Sequence, residues 1–345
     1  MKTLILENKK ENIDLAAKII ARGGLVAFPT ETVYGLGANA LDGEAVGKVY
    51  AAKGRPSDNP MIVHISSKDD IKKLTSKVTE DMKLLMENFW PGPLTMVVKR
   101  SEIVPLVTTG GLETVAIRMP DSEIALKLIE ESGFPIAAPS ANLSGRPSPT
   151  TAQHVIDDLD GRIDAIIKGE NCRVGIESTV LDMTLETPMI LRPGILTKEV
   201  LSAAIDKNID IDPTLLSRPD PYNNQKEGLL QDMGKDYKPK SPGMKYKHYA
   251  PKAEMIIFEG NCEKIKAEIE AAKKERELKG QSVGIILYEN KDSEKAAHDF
   301  FAKLRDFDKK NIDVILAGAL EEDGIGFSVM NRMLKSAGYN IKKVK

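Results

Sequence analysis

Between residues 206 and 250 the apolar periodicity of this chain lapses, and Asn, Asp, Pro, Gln and Lys dominate. A polar stretch of that length reads as an interdomain linker rather than a loop within one core. It divides the 345 residues into two units of domain size, 1–205 and 251–345. At 41% hydrophobic residues, both units have the material for a packed interior.

From Ala253 onward the pattern is regular. Apolar runs at Met255–Phe258, Val283–Tyr288 and Val314–Ala317 alternate with helical periodicity at Glu263–Leu278, Glu294–Phe307 and Phe327–Ala337. This order predicts a small parallel sheet with right-handed crossovers, a Rossmann-like α/β domain. No G-x-G-x-x-G follows its first strand, so the shape implies no dinucleotide. The first unit is less regular. Helices are predicted near 13–21, 43–52, 79–89, 122–131, 152–159 and 198–205. Strands are predicted near 25–28, 61–65, 94–99, 114–119, 135–139, 165–168, 178–183 and 189–191. That is more strands than simple alternation gives, so a mixed α/β sheet is expected.

Several function classes are disfavoured. A net charge of -2 without a basic tail does not suit a protein that coats nucleic acid. Cys172 and Cys262 stand far apart without C-x-x-C spacing, which gives neither a disulfide framework nor a zinc site. His64, His154, His248 and His298 lack metal-ligand spacing, so no resident metal is expected. No G-x-x-x-x-G-K-[ST] or G-x-S-x-G is present. No apolar run has membrane-spanning length, and Met1–Glu7 is too short and too soon charged for a signal peptide. A soluble cytoplasmic protein is the expectation.

Two segments concentrate polar chemistry. Pro29-Thr30-Glu31-Thr32-Val33-Tyr34-Gly35-Leu36-Gly37 follows the apolar run Leu25–Phe28, placing hydroxyls and glycines at a strand end, where open α/β sheets bind ligands. One helix length later, Lys53-Gly54-Arg55-Pro56-Ser57-Asp58-Asn59-Pro60 supplies two cations at i and i+2. In an extended stretch both would leave one face, as polyphosphate binding needs; a solvated helix end fits the local pattern equally well. Ser140 and Asn142 also follow an apolar strand at i and i+2, where a plain turn is the competing reading. Arg118 and Arg192 each end an apolar run. A cation there is costly unless a carboxylate or phosphate pairs with it, either from a ligand or from an internal salt bridge. His64 lies on the strand face opposite Val63 and Ile65. Ser144–Thr150 and Val174–Val180 offer hydroxyls that serve turns or ligands.

Taken in this order, Pro29–Gly37, Lys53-Gly54-Arg55, Ser140-Ala141-Asn142, Ser178-Thr179-Val180, Arg192-Pro193-Gly194 and Ser241–Pro251 closely resemble the two-domain form of the threonylcarbamoyl-AMP synthase (YrdC/Sua-type) family. The Lys-x-Arg with Ser-x-Asn combination is specific, and the Ser241–Pro251 linker end marks the long form. The resemblance implies a twisted mixed-sheet YrdC-like domain with a concave ligand-binding face, beside the small Rossmann-like domain. It also implies a nucleotidyltransferase that joins L-threonine, bicarbonate and ATP into threonylcarbamoyl-AMP and pyrophosphate. ATP would be a substrate accompanied by Mg2+, with no tightly bound cofactor. Downstream transferase proteins would place the threonylcarbamoyl group on adenosine 37 of tRNAs reading codons that begin with A. Neither DNA nor a membrane enters this scheme.

By the same resemblance, Thr32, His64, Arg118, Ala138 and Ser178 would form the threonine side, with Arg118 on the carboxylate. Lys53, Arg55, Asn59, Thr114, Ser140, Asn142, Ser148 and Arg192 would line the ATP side, with Lys53 and Arg55 as the catalytic cations. His248 and Tyr249 would close the site. The alternatives are an RNA-binding or ribosome-associated module, and a carbamoyl-adenylate enzyme using carbamoyl phosphate. The absence of acylphosphatase and Cys-rich segments argues against the second of these.

Overall fold

The strands that build the first unit are short, and most are apolar. They are β1 (Leu4–Leu6), β2 (Val26–Phe28), β3 (Gly35–Asn39), β4 (Ile62–His64), β5 (Leu94–Lys99), β6 (Thr114–Arg118), β7 (Ile136–Ala137), β8 (Ala165–Ile167), β9 (Thr179–Asp182), β10 (Met189–Arg192) and β11 (Asp210–Ile211). In the computed structural model, which describes residues 2–218, 240–241, 248–288 and 292–344, they form one mixed sheet. Its order is β1-β8-β2-β3-β7-β4-β6-β5-β9-β10-β11. Parallel pairs such as β4·β6 and β5·β9 sit beside antiparallel ones such as β2·β3 and β5·β6. Both faces are covered, one by a cluster around Tyr34, Leu36, Val63, Leu85, Met96 and Ile117, the other by a cluster around Ile20, Phe28, Leu128 and Ile129.

The second unit follows the predicted alternation. β12 (Glu254–Glu259), β13 (Val283–Ile286), β14 (Val314–Gly318) and β15 (Ile341–Lys343) form a parallel sheet in the order β13-β14-β12-β15. Helices Cys262–Leu278, Ser293–Lys309 and Gly324–Ser336 link them. β15 lies on the edge and is rich in lysine, which hides it from a periodicity reading and guards the edge.

Three local expectations are corrected. Gly35 and Gly37 belong to β3, antiparallel to β2, rather than to a loop at a strand end. A Cβ at Gly37 would lie 2.6 Å from Ile136 Cγ2 and 2.7 Å from Phe28 Cε1, so this glycine serves close packing within the sheet, not a phosphate. Lys53 and Arg55 do not share an extended strand. Lys53 is the last residue of helix Gly43–Lys53, and Gly54, at φ 61°, caps that helix in the left-handed region that glycine occupies without strain. Finally, the first sheet extends past 205. Asp210–Ile211 adds a parallel strand beside Met189–Ile190, and a short helix, Pro213–Leu216, follows. Residues 219–239 of the expected linker lie outside the described residues. Among those described, no helix is long and apolar enough to cross a membrane.

The two units share a core. Val33 and Ile176 of the first are buried among Met255, Phe300, Phe301, Val329 and Met330 of the second. Tyr249 joins this cluster, its ring centroid 5.0 Å from that of Phe301.

Candidate active site

A small cavity opens at the ends of β2, β4, β6 and β7. Its wall begins with the loop after β2. There Thr30 Oγ1 donates to the Val33 carbonyl at 2.7 Å and accepts from the Thr32 and Val33 amides at 3.2 and 3.3 Å. This hydroxyl turn fixes the loop and presents Thr32 to the cavity.

His64 ends β4 and Arg118 ends β6, directly opposite each other in register. Burial and the nearby Arg118 charge hold the His64 imidazole down to about 3. It is therefore neutral at physiological pH, with Nδ1 unpartnered. Arg118 lies 2.7 Å from Glu31 Oε1 through Nη2, and its Nε donates to the Gly92 carbonyl at 3.2 Å. A buried arginine beside a buried glutamate is the internal pairing that desolvation demands. Ala138 and Pro139 complete the apolar floor of this end.

The other end is cationic. Arg55, Ser140 and Arg192 line it. Burial pulls the Arg192 guanidinium down to about 10, still charged at pH 7. Its Nε and Nη2 donate to the carbonyl and hydroxyl of Ser178, each at 3.0 Å. Arg55, Arg118 and Arg192 outnumber the lining carboxylate, Glu177, so the cavity favours an anionic guest. Lys53 stands behind this wall. It is 2% exposed and donates to the carbonyls of Ser140 and Asn142. Burial, reinforced by Arg55, holds its ammonium well below the usual lysine range. Its expected solvent exposure is thus corrected: the lysine ties the Ser140–Asn142 turn to the preceding helix.

The covering segment comes from between the domains. Of Ser241–Pro251, residues 242–247 lie outside the described residues, but His248 and Tyr249 line the cavity. The Ala250 amide donates to the Gly145 carbonyl at 2.8 Å, fastening the segment to the first unit. Tyr249 takes φ 64°, an uncommon conformation for a bulky side chain, maintained by packing on both domains. Burial holds the His248 imidazole down to about 3, and its Nε2 has no partner.

The cavity therefore brings together Thr32, His64, Arg118, Ala138, Arg55, Ser140, Arg192, His248 and Tyr249 from the sequence-predicted set. Six others do not line it. Lys53 lies behind Ser140. Asn142 uses its amide nitrogen on the Leu143 and Arg146 carbonyls, so its side chain is spent on the turn. Ser178 engages Thr95 Oγ1 at 2.7 Å as well as Arg192. Ser148 is fully buried, with its hydroxyl 2.5 Å from Glu177 Oε1. Asn59 is buried beneath Arg55, its backbone carbonyl accepting from Tyr50 and Arg55. Thr114 starts β6, the end away from Arg118, opposite Lys99. Sequence reasoning missed Thr30, Glu31 and Glu177 as individuals, although all three fall inside segments it singled out. Among the described residues no group of three or more His, Cys, Asp or Glu is arranged to hold a metal.

Comparison with known proteins places the chain in a family. The Sua5/YciO/YrdC family model, described as "Telomere recombination", matches residues 18–194. A second, described as "Threonylcarbamoyl-AMP synthase, C-terminal domain", matches 196–338. The threonylcarbamoyl-AMP synthases of Pyrococcus abyssi and Bacillus subtilis are 47% and 45% identical to this chain. The matches cover 99% and 96% of the chain and 99% and 95% of those proteins. The crystal structure of P. abyssi Sua5 complexed with L-threonine superposes with a TM-score of 0.89 at 45% identity, over the full length of both chains. The chain belongs to the two-domain Sua5 branch of the Sua5/YciO/YrdC family.

Proposed function

We infer that this member of the Sua5 family is an enzyme that makes threonylcarbamoyl-AMP, by nucleotidyl transfer from ATP to a carbamate of L-threonine. One observation carries the reading. A neutral, hydroxyl-recognising end at Thr32 and His64 and a cationic end at Arg55 and Arg192 share one cavity under His248 and Tyr249. The identity of full-length threonylcarbamoyl-AMP synthases and the L-threonine bound in P. abyssi Sua5 support it. An RNA-binding or ribosome-associated role is not favoured.

The threonine amine adds to bicarbonate with loss of water, giving a carbamate. A carbamate oxygen then attacks the α-phosphorus of ATP, and pyrophosphate leaves. Arg118, shared with Glu31, faces the threonine carboxylate. Arg55 and Arg192 offset charge on the phosphates, with Lys53 fixing Ser140 beside them. The work is positioning and charge stabilisation in a covered cavity, so no protein nucleophile is needed. Mg2+, carried on the phosphate oxygens of ATP, would supply further charge neutralisation. The product would pass to transferase proteins acting on tRNA. Purified protein is expected to release pyrophosphate from ATP only when both L-threonine and bicarbonate are present. Equal release without threonine would remove the proposal.

The threonine end also sets specificity. Ser178 does not line the cavity, so Thr32, whose Oγ1 bonds Thr30 Oγ1 at 2.8 Å, and the unpartnered Nδ1 of His64 are the groups that would meet the threonine hydroxyl. A buried polar site left unpaired discriminates by up to about 10^4-fold, whereas one missing methyl costs about 10- to 200-fold. Valine should therefore be rejected more strongly than serine. Because His64 stays neutral down to about pH 3, the preference should not change between pH 6 and 8. Comparable kcat/KM for valine and threonine would refute the assignment.

A further inference from the structure

Two arginines leave the second domain and enter the first. Arg332, on helix Gly324–Ser336, is completely buried. Its Nε donates to Glu177 Oε2 at 3.2 Å and its Nη1 to the Pro193 carbonyl. The other Glu177 oxygen holds the Ser148 hydroxyl at 2.5 Å. Arg305, on helix Ser293–Lys309, donates through Nε and Nη2 to the Pro147 carbonyl at 3.1 and 2.6 Å, and through Nη2 to Asp158 Oδ2 at 2.9 Å. Ser328 Oγ donates to the Gly194 carbonyl at 2.7 Å. Residues 147–148 and 193–194 are thus fastened from the second domain. The latter pair directly follows Arg192, a lining cation of the cavity. A tether needs none of this, since the Val33 and Ile176 contacts already hold the units together, and burying an arginine carries a large desolvation cost.

We propose that Arg332 is a positioning residue for the ATP half of the reaction: it holds Glu177 aimed, so that Glu177 in turn fixes Ser148 and balances Arg192, while Arg305 braces the same loop. The second domain is then a built-in wall of the ATP site rather than an appendage. This rests on the reading of Arg55, Ser140 and Arg192 as the ATP side. The groups facing Glu177 are Arg332 and Lys335 from the helix, Arg192 from β10, the Ser148 hydroxyl, and His248 and Tyr249 from the covering segment. Burial alone would raise the Glu177 carboxyl; Arg332 first, then Arg192, hold it below the ordinary value. Without the Arg332 charge, burial dominates and the carboxyl moves upward. Its proton then occupies an oxygen at low pH and leaves as pH rises.

The test uses the full chain, with pyrophosphate release measured against ATP and against threonine, and threonine binding measured by calorimetry. Arg332→Met is expected to lower kcat/KM for ATP by about tenfold or more, the scale of a hydrogen bond to a charged group. Threonine affinity should stay within about twofold. The rate relative to wild type should rise with increasing pH. Arg332→Lys should recover part of the loss. Adding Glu177→Gln to Arg332→Met should remove the part of that pH dependence that comes from Glu177, while Lys335, held down to about 7 beside it, still titrates. If Arg332→Met does not fold, Arg305→Met carries the test through the same ATP-selective loss. Equal losses for ATP and threonine with a wild-type pH profile, or unchanged kinetics with only a lower melting temperature, would overturn the proposal. An unmodified chain without turnover would overturn the proposed function and this inference together; an active wild type with kinetically normal arginine variants would overturn this inference alone.

Discussion

Lys53→Ala is expected to lower pyrophosphate release on the order of a hundredfold, the scale of a substrate-positioning wall moved out of place, and to lower the melting temperature as well. Arg55→Ala should match the first effect and largely lack the second. The two cations stand two residues apart but are held differently. Lys53 is buried and donates to two backbone carbonyls, at Ser140 and Asn142, with Asn142 Oδ1 3.4 Å away. Removing the ammonium leaves buried carbonyls without their donor, at a cost of about 1–3 kcal/mol each. Arg55 is half-buried in the cavity wall and donates to the Asn59 and Pro60 carbonyls at 3.3 and 3.0 Å. Its loss removes charge where phosphate is expected but leaves the turn anchored. Paired thermal melts and initial rates check both. Wild-type turnover in Lys53→Ala would return the lysine to a purely structural role, and an equal loss of stability in Arg55→Ala would erase the distinction.

The sequence made the second domain easy to read because its strands are apolar runs separated by long amphipathic helices. β3 escaped because Gly35-Leu36-Gly37-Ala38-Asn39 contains no β-branched or aromatic residue. Its glycines answer to Phe28 and Ile136, neighbours that only the folded sheet supplies. β11 escaped because its two residues sit within a polar stretch and pair with β10 along an edge. The site divides in the same way. His64, Arg118 and Arg192 were legible because a polar side chain in an apolar strand is costly and needs a reason. Glu31 was half legible, since a buried arginine calls for a partner without saying which carboxylate answers. Arg332 was not legible at all. A charged residue in an amphipathic helix looks like part of a solvated face until a second domain packs against it. Asn142 shows the reverse: a residue type suited to phosphate binding that spends its side chain on a turn.

Removing the second domain is expected to separate threonine binding from turnover. The sequence sets the boundary near 205, but a cut there would strip β11 from the first sheet. A chain ending after Arg218 keeps that strand and the Pro213–Leu216 helix. Its principal clusters, around Leu36 and Met96 and around Phe28 and Leu128, lie wholly within the first unit, so it should fold. Val33 and Ile176 would lose their cover, and solubility should fall with the new apolar patch. Thr32, His64 and Arg118 remain, so threonine should still bind. His248, Tyr249, Arg305 and Arg332 are gone. The carbamate is then open to water before adenylation, and the Ser148 loop has lost both arginine braces. Pyrophosphate release should drop on the order of a hundredfold or more. Two changes in the intact chain separate the causes. His248→Ala opens the cover but spares the braces, and should cost turnover while leaving Arg332 and Glu177 in place. Tyr249→Phe keeps the ring against Phe301 and removes only the hydroxyl, which faces Glu177, so its loss should be smaller. Truncated protein that turns over at the full-length rate would show that neither the cover nor the braces matter. If instead threonine binding were lost, the second domain would be a requirement for folding the whole site, not for completing its ATP half.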